Sequence, residues 1–346
     1  MQVYRIVKGE MPEIESVVKR LKEKPVFMFC IGNTLTANIP DITVAGANPD
    51  LVKYTPPADV ELLHYGKCRI IPFPPATPDG KPTPALITYT SLRLTGIPFF
   101  AVDCGLIEKP DVPLIDIHAV TGENIAEKDA MDIEVARKAF EKSVELGRHM
   151  SKISDVLVIG ESIPAGTTTA GAVLKALGLE CRVSSSMPEN PVELKRKVID
   201  KAISRLKGDE TPLEIVAKVG DPVILAVAGI ACGSETPIIL AGGTQMVAVA
   251  NVISKLGFDG DCIIVTTKYV AEDPSADLTQ SPFPVIAVDP VLEKSGKAGL
   301  RAYADGFVKE GVGAGAATLI AYVRGFEPEN FLAELEKDYE KIVEQG

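Results

Sequence analysis

The residues able to do chemistry in this chain are acids and hydroxyls placed on glycine-containing turns. Five such turns follow apolar runs, at 32–34, 103–105, 160–169, 242–245 and 310–315, and they bring Asp103, Glu161, Thr167, Thr168 and Glu310 with them. Backbone N–H groups freed at a glycine turn attract phosphate or carboxylate, and a pocket carboxylate can take or give a proton. The set therefore predicts a nucleotide-type site worked by carboxylates. Histidine chemistry has little support, since His64, His118 and His149 have no metal-ligand spacing, and no GxSxG elbow occurs. No metal and no cofactor is expected.

The turn at 160–169 lies in the stretch around which the chain is organised, DVLVIGESIPAGTTTAGAVLKALG at 155–178. Val156 to Ile159 form a short β-branched run of the kind covered on both faces, and Gly160 is expected to end it. Thr167, Thr168 and Thr169 then offer a capping hydroxyl to a small-residue helix that stops at Gly178. No Lys follows the glycine, so this is not a Walker A loop, and the dinucleotide spacing is incomplete. An ordinary strand-to-helix turn with a capping Thr remains the alternative. Glu161 favours the site reading, because open α/β sheets hold ligands at the carboxyl ends of their strands.

The elements needed to position these turns alternate along the chain. Charged helical periodicity at 13–24 precedes an apolar strand at 26–31, a second strand ends on Asp103, and an amphipathic helix covers 129–150. Beyond the central stretch come a helix near 191–206, an apolar segment at 222–232, a strand at 237–241, a turn at 242–245 and a helix at 246–256. Strands at 262–266 and 285–288 and a helix at 296–308 lead to the turn at 310–315. This alternation predicts an α/β fold with a doubly wound, mostly parallel, Rossmann-like sheet, a Pro-rich N-terminal segment and helical terminal appendages. The expected organisation is an N-terminal strand plus Pro-rich segment packing on the core (1–85), a Rossmann-like catalytic core (86–326) and a C-terminal helix (327–346). Ten prolines between 38 and 85 break every candidate element there, as in a lid, a binding loop, an oligomer arm or a rigid surface excursion.

Composition excludes several partners. A net charge of −11 across 346 residues argues against nucleic acid or an anionic membrane surface. Six cysteines without a CxxC pair suit a reducing cytoplasm, and no signal peptide or membrane-spanning helix is expected. Small-molecule substrates remain.

The stretch Gly160-Glu161 through Thr167-Thr168-Thr169-Ala170 resembles the GEMGIGNTT(T/A)A segment of nicotinate-nucleotide:dimethylbenzimidazole phosphoribosyltransferases, enzymes of cobalamin lower-ligand synthesis. Other segments agree in order: Ala101 to Gly105 with VVDVG, Thr121 to Ala126 with GTxNIA, Val219 to Gly229 with GGFEIAAMAG, Gly242-Gly243 with a DGF turn, and Glu310 to Ala314 with EGTGA. The similarity covers about 95–324. Departures are Ile163 and Ala165 where the family has glycine, 271–275 where its SxEPGH loses the histidine, and a Pro-rich N-terminal part without visible counterpart. The paired acids of diphosphate-dependent phosphoribosyltransferases are also missing, which favours a donor whose leaving group is not pyrophosphate.

The resemblance implies transfer of ribose 5-phosphate from nicotinate mononucleotide to a benzimidazole-type base by a cytoplasmic homodimer of a divergent, archaeal-type branch. It makes Glu310 the base and Glu161 an acid that orients Glu310 or substitutes for it. Gly166, Thr167, Thr168, Gly243, Gly311 and Gly313 would be the phosphate and ribose contacts. Two other readings stand beside it: a non-catalytic nucleotide- or base-binding homologue, and a nicotinamide-cofactor oxidoreductase, which the absent GxGxxG disfavours.

Overall fold

The β-branched runs assemble into one eight-stranded sheet in the computed structural model, which describes residues 3–345. The strands are β1 (Tyr4–Lys8), β2 (Pro25–Ile31), β3 (Phe99–Asp103), β4 (Leu114–Asp116), β5 (Val156–Ser162), β6 (Ile238–Ala241), β7 (Cys262–Thr267) and β8 (Val285–Val288). Their spatial order is β1-β8-β7-β6-β5-β2-β3-β4, parallel throughout except where β1 runs against β8. The chain builds outward from β2 to β4, then returns to the other side of β2 with β5. The sheet's order therefore reverses between β2 and β5, where open α/β sheets leave a crevice at their carboxyl ends.

The helices are α1 (Met11–Val18), α2 (Thr55–Tyr65), α3 (Ala85–Thr95), α4 (Ile133–Ser151), α5 (Gly166–Ala176), α6 (Val192–Ile203), α7 (Pro212–Val219), α8 (Pro222–Gly233), α9 (Thr244–Lys255), α10 (Lys268–Ala271), α11 (Ala298–Arg301), α12 (Ala314–Val323) and α13 (Pro328–Tyr339). Alternate residues of β2 serve opposite layers: Val26, Met28 and Cys30 pack with α4 to α9, while Phe27, Phe29 and Ile31 pack with α1 to α3, α12 and α13. That is the expected doubly wound sheet. Small residues let α4 and α8 touch backbone to backbone, since a Cβ on Gly147 or Gly233 would collide with a carbonyl of the other helix.

Three local expectations are corrected. Gly160 does not end β5, which continues through Ser162 because Gly160 and Glu161 still pair with Phe29 and Cys30 of β2. The Pro-rich segment is not free of helix. Pro56 and Pro57 sit in the first turn of α2, where a missing N–H costs nothing, and α3 begins directly after Pro84. The helix expected over 296–308 is reduced to the four residues of α11, and Val308 and Lys309 adopt left-handed φ values of 60° and 55° that no helix accommodates. All six cysteines are free thiols, and no helix among the described residues is long and apolar enough to cross a membrane.

Candidate active site

The carboxyl ends of β5, β6 and β7 open into a cleft beside the switch point, with about 1040 Å³ of empty space including its mouth. That is room for a nucleotide-sized ligand. Glu161, Gly166, Thr167, Gly243, Glu310 and Gly311 all line it. Thr168 and Gly313 lie behind the lining. Thr168 is fully buried with no partner for its hydroxyl among the described residues, and Gly313 sits against the Phe27 ring and Ala241, where no Cβ would fit.

Glu310 is delivered by a tightly wound turn. Val308, Lys309, Gly311, Val312 and Gly313 all have positive φ, and a β-branched residue in that region is costly, so the turn persists only because its surroundings hold it. Three clamps are visible: Val308 N–H donates to Ser186 O at 2.8 Å, Thr267 Oγ1 to Lys309 O at 2.5 Å, and Val312 N–H to Glu161 O at 2.9 Å. A fourth is ionic, the buried pair of Lys309 Nζ with Asp273 Oδ2 at 2.7 Å. The Glu310 carboxylate accepts from Thr267 N–H at 2.8 Å, Gly311 N–H at 3.1 Å and Gly315 N–H at 3.3 Å, placing it over the N-terminus of α12. Burial nevertheless outweighs these donors and pushes its pKa up to about 7.

Glu161 has the opposite surroundings. Apart from the Ile163 backbone N–H, no donor among the described residues reaches its carboxyl. Burial, then the charges of Asp221, Glu310 and Asp59, push its pKa up to about 8. Asp59, from α2, completes a group of three pocket acids. Its oxygens accept from Thr83 Oγ1 and Ser162 Oγ, each at 2.7 Å, and burial raises it to about 7.

Other parts of the lining suit an anion. The N-termini of α5 and α9 both face the cleft through Gly166, Thr167, Gly243 and Thr244. The expected threonine cap of α5 is corrected: its N-cap is Ala165, held in a left-handed turn at φ 63° at a cost of about 1–2 kcal/mol. Thr169, offered by the sequence as a cap, instead turns its one proton to buried Asp221 at 2.5 Å, with Gly166 O a second acceptor within reach at 2.9 Å. Lys195, from α6, is 3% exposed and donates to Thr167 Oγ1 at 3.0 Å and Ser184 O at 2.8 Å. Burial lowers its pKa to about 7. Gln245 leaves its Nε2 buried and without a partner, and its side chain fills the space a Cβ on Gly166 would need, at 2.6 Å from Nε2. Gly166→Ala is therefore expected to displace a flexible amide, leaving the melting temperature within a few degrees while raising KM for a phosphate-bearing donor about tenfold. Calorimetry and steady-state kinetics check both.

Sequence reasoning missed Asp59, Thr83, Ser162, Lys195, Lys309 and Asp273. Ser162 follows Glu161 and Lys309 precedes Glu310, so both were within reach. The others carry no local signal, because their place at the site depends on which segments meet.

With this geometry in hand, similarity to known proteins is informative. The model of a phosphoribosyltransferase family matches residues 92–263. A UPF0284 protein of Archaeoglobus fulgidus is 62% identical over 98% of this chain and 99% of its own length. UPF0284 proteins of Sulfolobus acidocaldarius and Pyrococcus furiosus are 44% and 42% identical, over 92% of this chain and 95% and 99% of theirs. Two Thermus thermophilus crystal structures, described as nicotinate-nucleotide-dimethylbenzimidazole phosphoribosyltransferase and as CobT, superpose with TM-scores of 0.59 and 0.60 at 18% identity. They cover 95% and 96% of this chain and 92% of their own, a likeness of fold. The chain belongs to the UPF0284 protein family, with the phosphoribosyltransferase match lying over its residues 92–263.

Proposed function

We propose that the protein transfers ribose 5-phosphate from nicotinate mononucleotide to a ring nitrogen of a benzimidazole-type base. One observation carries the reading. Glu161 and Glu310, far apart in sequence, share a cleft that two helix N-termini also line, with the buried Lys195 behind them on Thr167. The donor phosphate belongs at those N-termini, held by Gly166, Thr167 and Gly243, with Gly311 beside the ribose. One acceptor nitrogen forms the new bond to the anomeric carbon, and the bond to the nicotinate nitrogen breaks with its electron pair leaving on nicotinate. The proton on the acceptor's second nitrogen passes to Glu310. A base poised near pH 7 suits that transfer.

A second assignment of the base has its own support. Glu310 is occupied by backbone donors while Glu161 is nearly free of them, so Glu161 is the alternative proton acceptor. Incubation with nicotinate mononucleotide and 5,6-dimethylbenzimidazole, followed by mass spectrometry, is expected to yield the riboside phosphate. Failure to form it with any azole would favour a non-catalytic binder.

A further inference from the structure

The Pro-rich N-terminal segment contributes a wall whose polarity is set by a single acid. Asp59 is 2% exposed on α2 and its two oxygens are each engaged by a hydroxyl, Thr83 Oγ1 on one and Ser162 Oγ on the other, both at 2.7 Å. All three residues line the cleft next to Glu161. A hydroxyl has one proton and two lone pairs. With its proton turned toward Asp59, Ser162 has only lone pairs left to offer. Thr83 is in the same state, with one lone pair already taken by Ala85 N–H at 3.2 Å. Thr55, one turn before Asp59, also lines the cleft, and its hydroxyl has no partner among the described residues, so it is free to turn either way. Around these groups stand Ile42, Val44, Pro75 and Pro84, an apolar surface of the kind a flat ring stacks on.

We infer that Asp59 is a specificity-determining positioning residue: by fixing the Ser162 and Thr83 hydroxyls as acceptors, it selects a heteroaromatic base whose ring carries a hydrogen-bond donor, a hydroxyl or an amino group, over one carrying only methyls. The inference rests on the phosphoribosyl-transfer reading. Its basis is separate from that of the phosphate contacts, which come from the N-termini of α5 and α9 at Gly166 and Thr244. An amide in place of the Asp59 carboxylate keeps one acceptor oxygen but puts an NH₂ donor at the other, so one of the two hydroxyls turns its proton away from residue 59 and the preference for a donor-bearing ring weakens.

The test is a competition at pH 8.5, where Asp59 is ionised. Intact protein receives nicotinate mononucleotide with 5-hydroxybenzimidazole and 5,6-dimethylbenzimidazole in equal amounts, and the two products are counted by mass spectrometry. Wild type is expected to favour the hydroxylated ring about tenfold, as one well-made hydrogen bond to a charge-oriented acceptor allows. Asp59→Asn is expected to lower that ratio at least threefold, the hydroxylated ring losing more turnover than the dimethyl ring. A simple packing defect would lower both rates together and leave the ratio intact. The same two bases titrated calorimetrically into the donor-free protein give the ratio as affinities, so the inference is tested even if no product forms, and absence of product with every base counts against the transferase reading instead. Equal use or equal binding of the two rings by wild type, or an unchanged ratio in Asp59→Asn, overturns the inference. Ser162→Ala provides a second variant should Asp59→Asn fail to fold, and is expected to lower the ratio at least threefold.

Discussion

Glu310→Gln is expected to lower kcat by about 10²–10⁴-fold, the usual contribution of a positioned general base, with KM for nicotinate mononucleotide within a few-fold of wild type. Gln keeps the size of the side chain but not its hydrogen-bonding pattern. Both Glu310 oxygens accept backbone N–H groups, so the new amide NH₂ must face at least one donor at Thr267, Gly311 or Gly315. The variant should therefore also lose about 1–3 kcal/mol of stability, visible in denaturant unfolding. Glu310→Ala should lose more, since α12 would lose the carboxylate that accepts from Gly315 at its N-terminus. In wild type, kcat/KM should climb as pH rises toward the Glu310 pKa of about 7 and then level off, because the base must be ionised. A pH-independent rate, or full activity in Glu310→Gln with loss in Glu161→Gln, would transfer the role to Glu161.

The ligand-free protein should be less stable at pH 8 than at pH 5. Glu161 and Glu310, ordinarily near 4.5, are held at about 8 and about 7, and Asp59 and Asp221, ordinarily near 3.8, at about 7 and about 6. Between pH 4 and pH 8 the folded chain thus binds more protons than the unfolded one, and stability falls as pH rises through that window. Each unit is worth about 1.4 kcal/mol per group, so Glu161 alone contributes a few kcal/mol. Lys195, lowered to about 7, acts in the reverse sense above neutrality and should flatten the curve there. Glu161→Gln should raise the pH 8 melting temperature by several degrees and reduce the slope, with little change at pH 5. A flat wild-type profile from pH 5 to 8 would contradict the burial of these acids. Below pH 4 the trend should reverse, as carboxylates held low by partners, Glu210 at about 2 among them, take up protons.

How far the sequence was legible depended on whether a signal was local. β2, β5 and β7 announce themselves as continuous apolar runs, because a strand covered on both faces has no polar side to show. β1 and β4 gave no such signal, the first being half-exposed and the second only three residues long at the sheet's edge. α2 was hidden by its own prolines, which forbid a helix interior but suit a first turn. The helix expected at 296–308 erred the other way. Its residues have adequate propensity, yet clamps from Ser186, Thr267 and Asp273 hold Val308 and Lys309 in left-handed turns.

From the sequence alone followed the α/β architecture, the glycine turns at strand ends, and Glu161 and Glu310 as the acids to examine, since each is written into a short contiguous pattern. Only the tertiary structure decided which groups share the cleft with them. Asp59 reaches Ser162 because α2 packs across the end of β5, and Lys195 reaches Thr167 because α6 lies beside α5. Whether a carboxylate is charged depends on the burial and neighbours that such packing creates, and no local stretch of sequence encodes either.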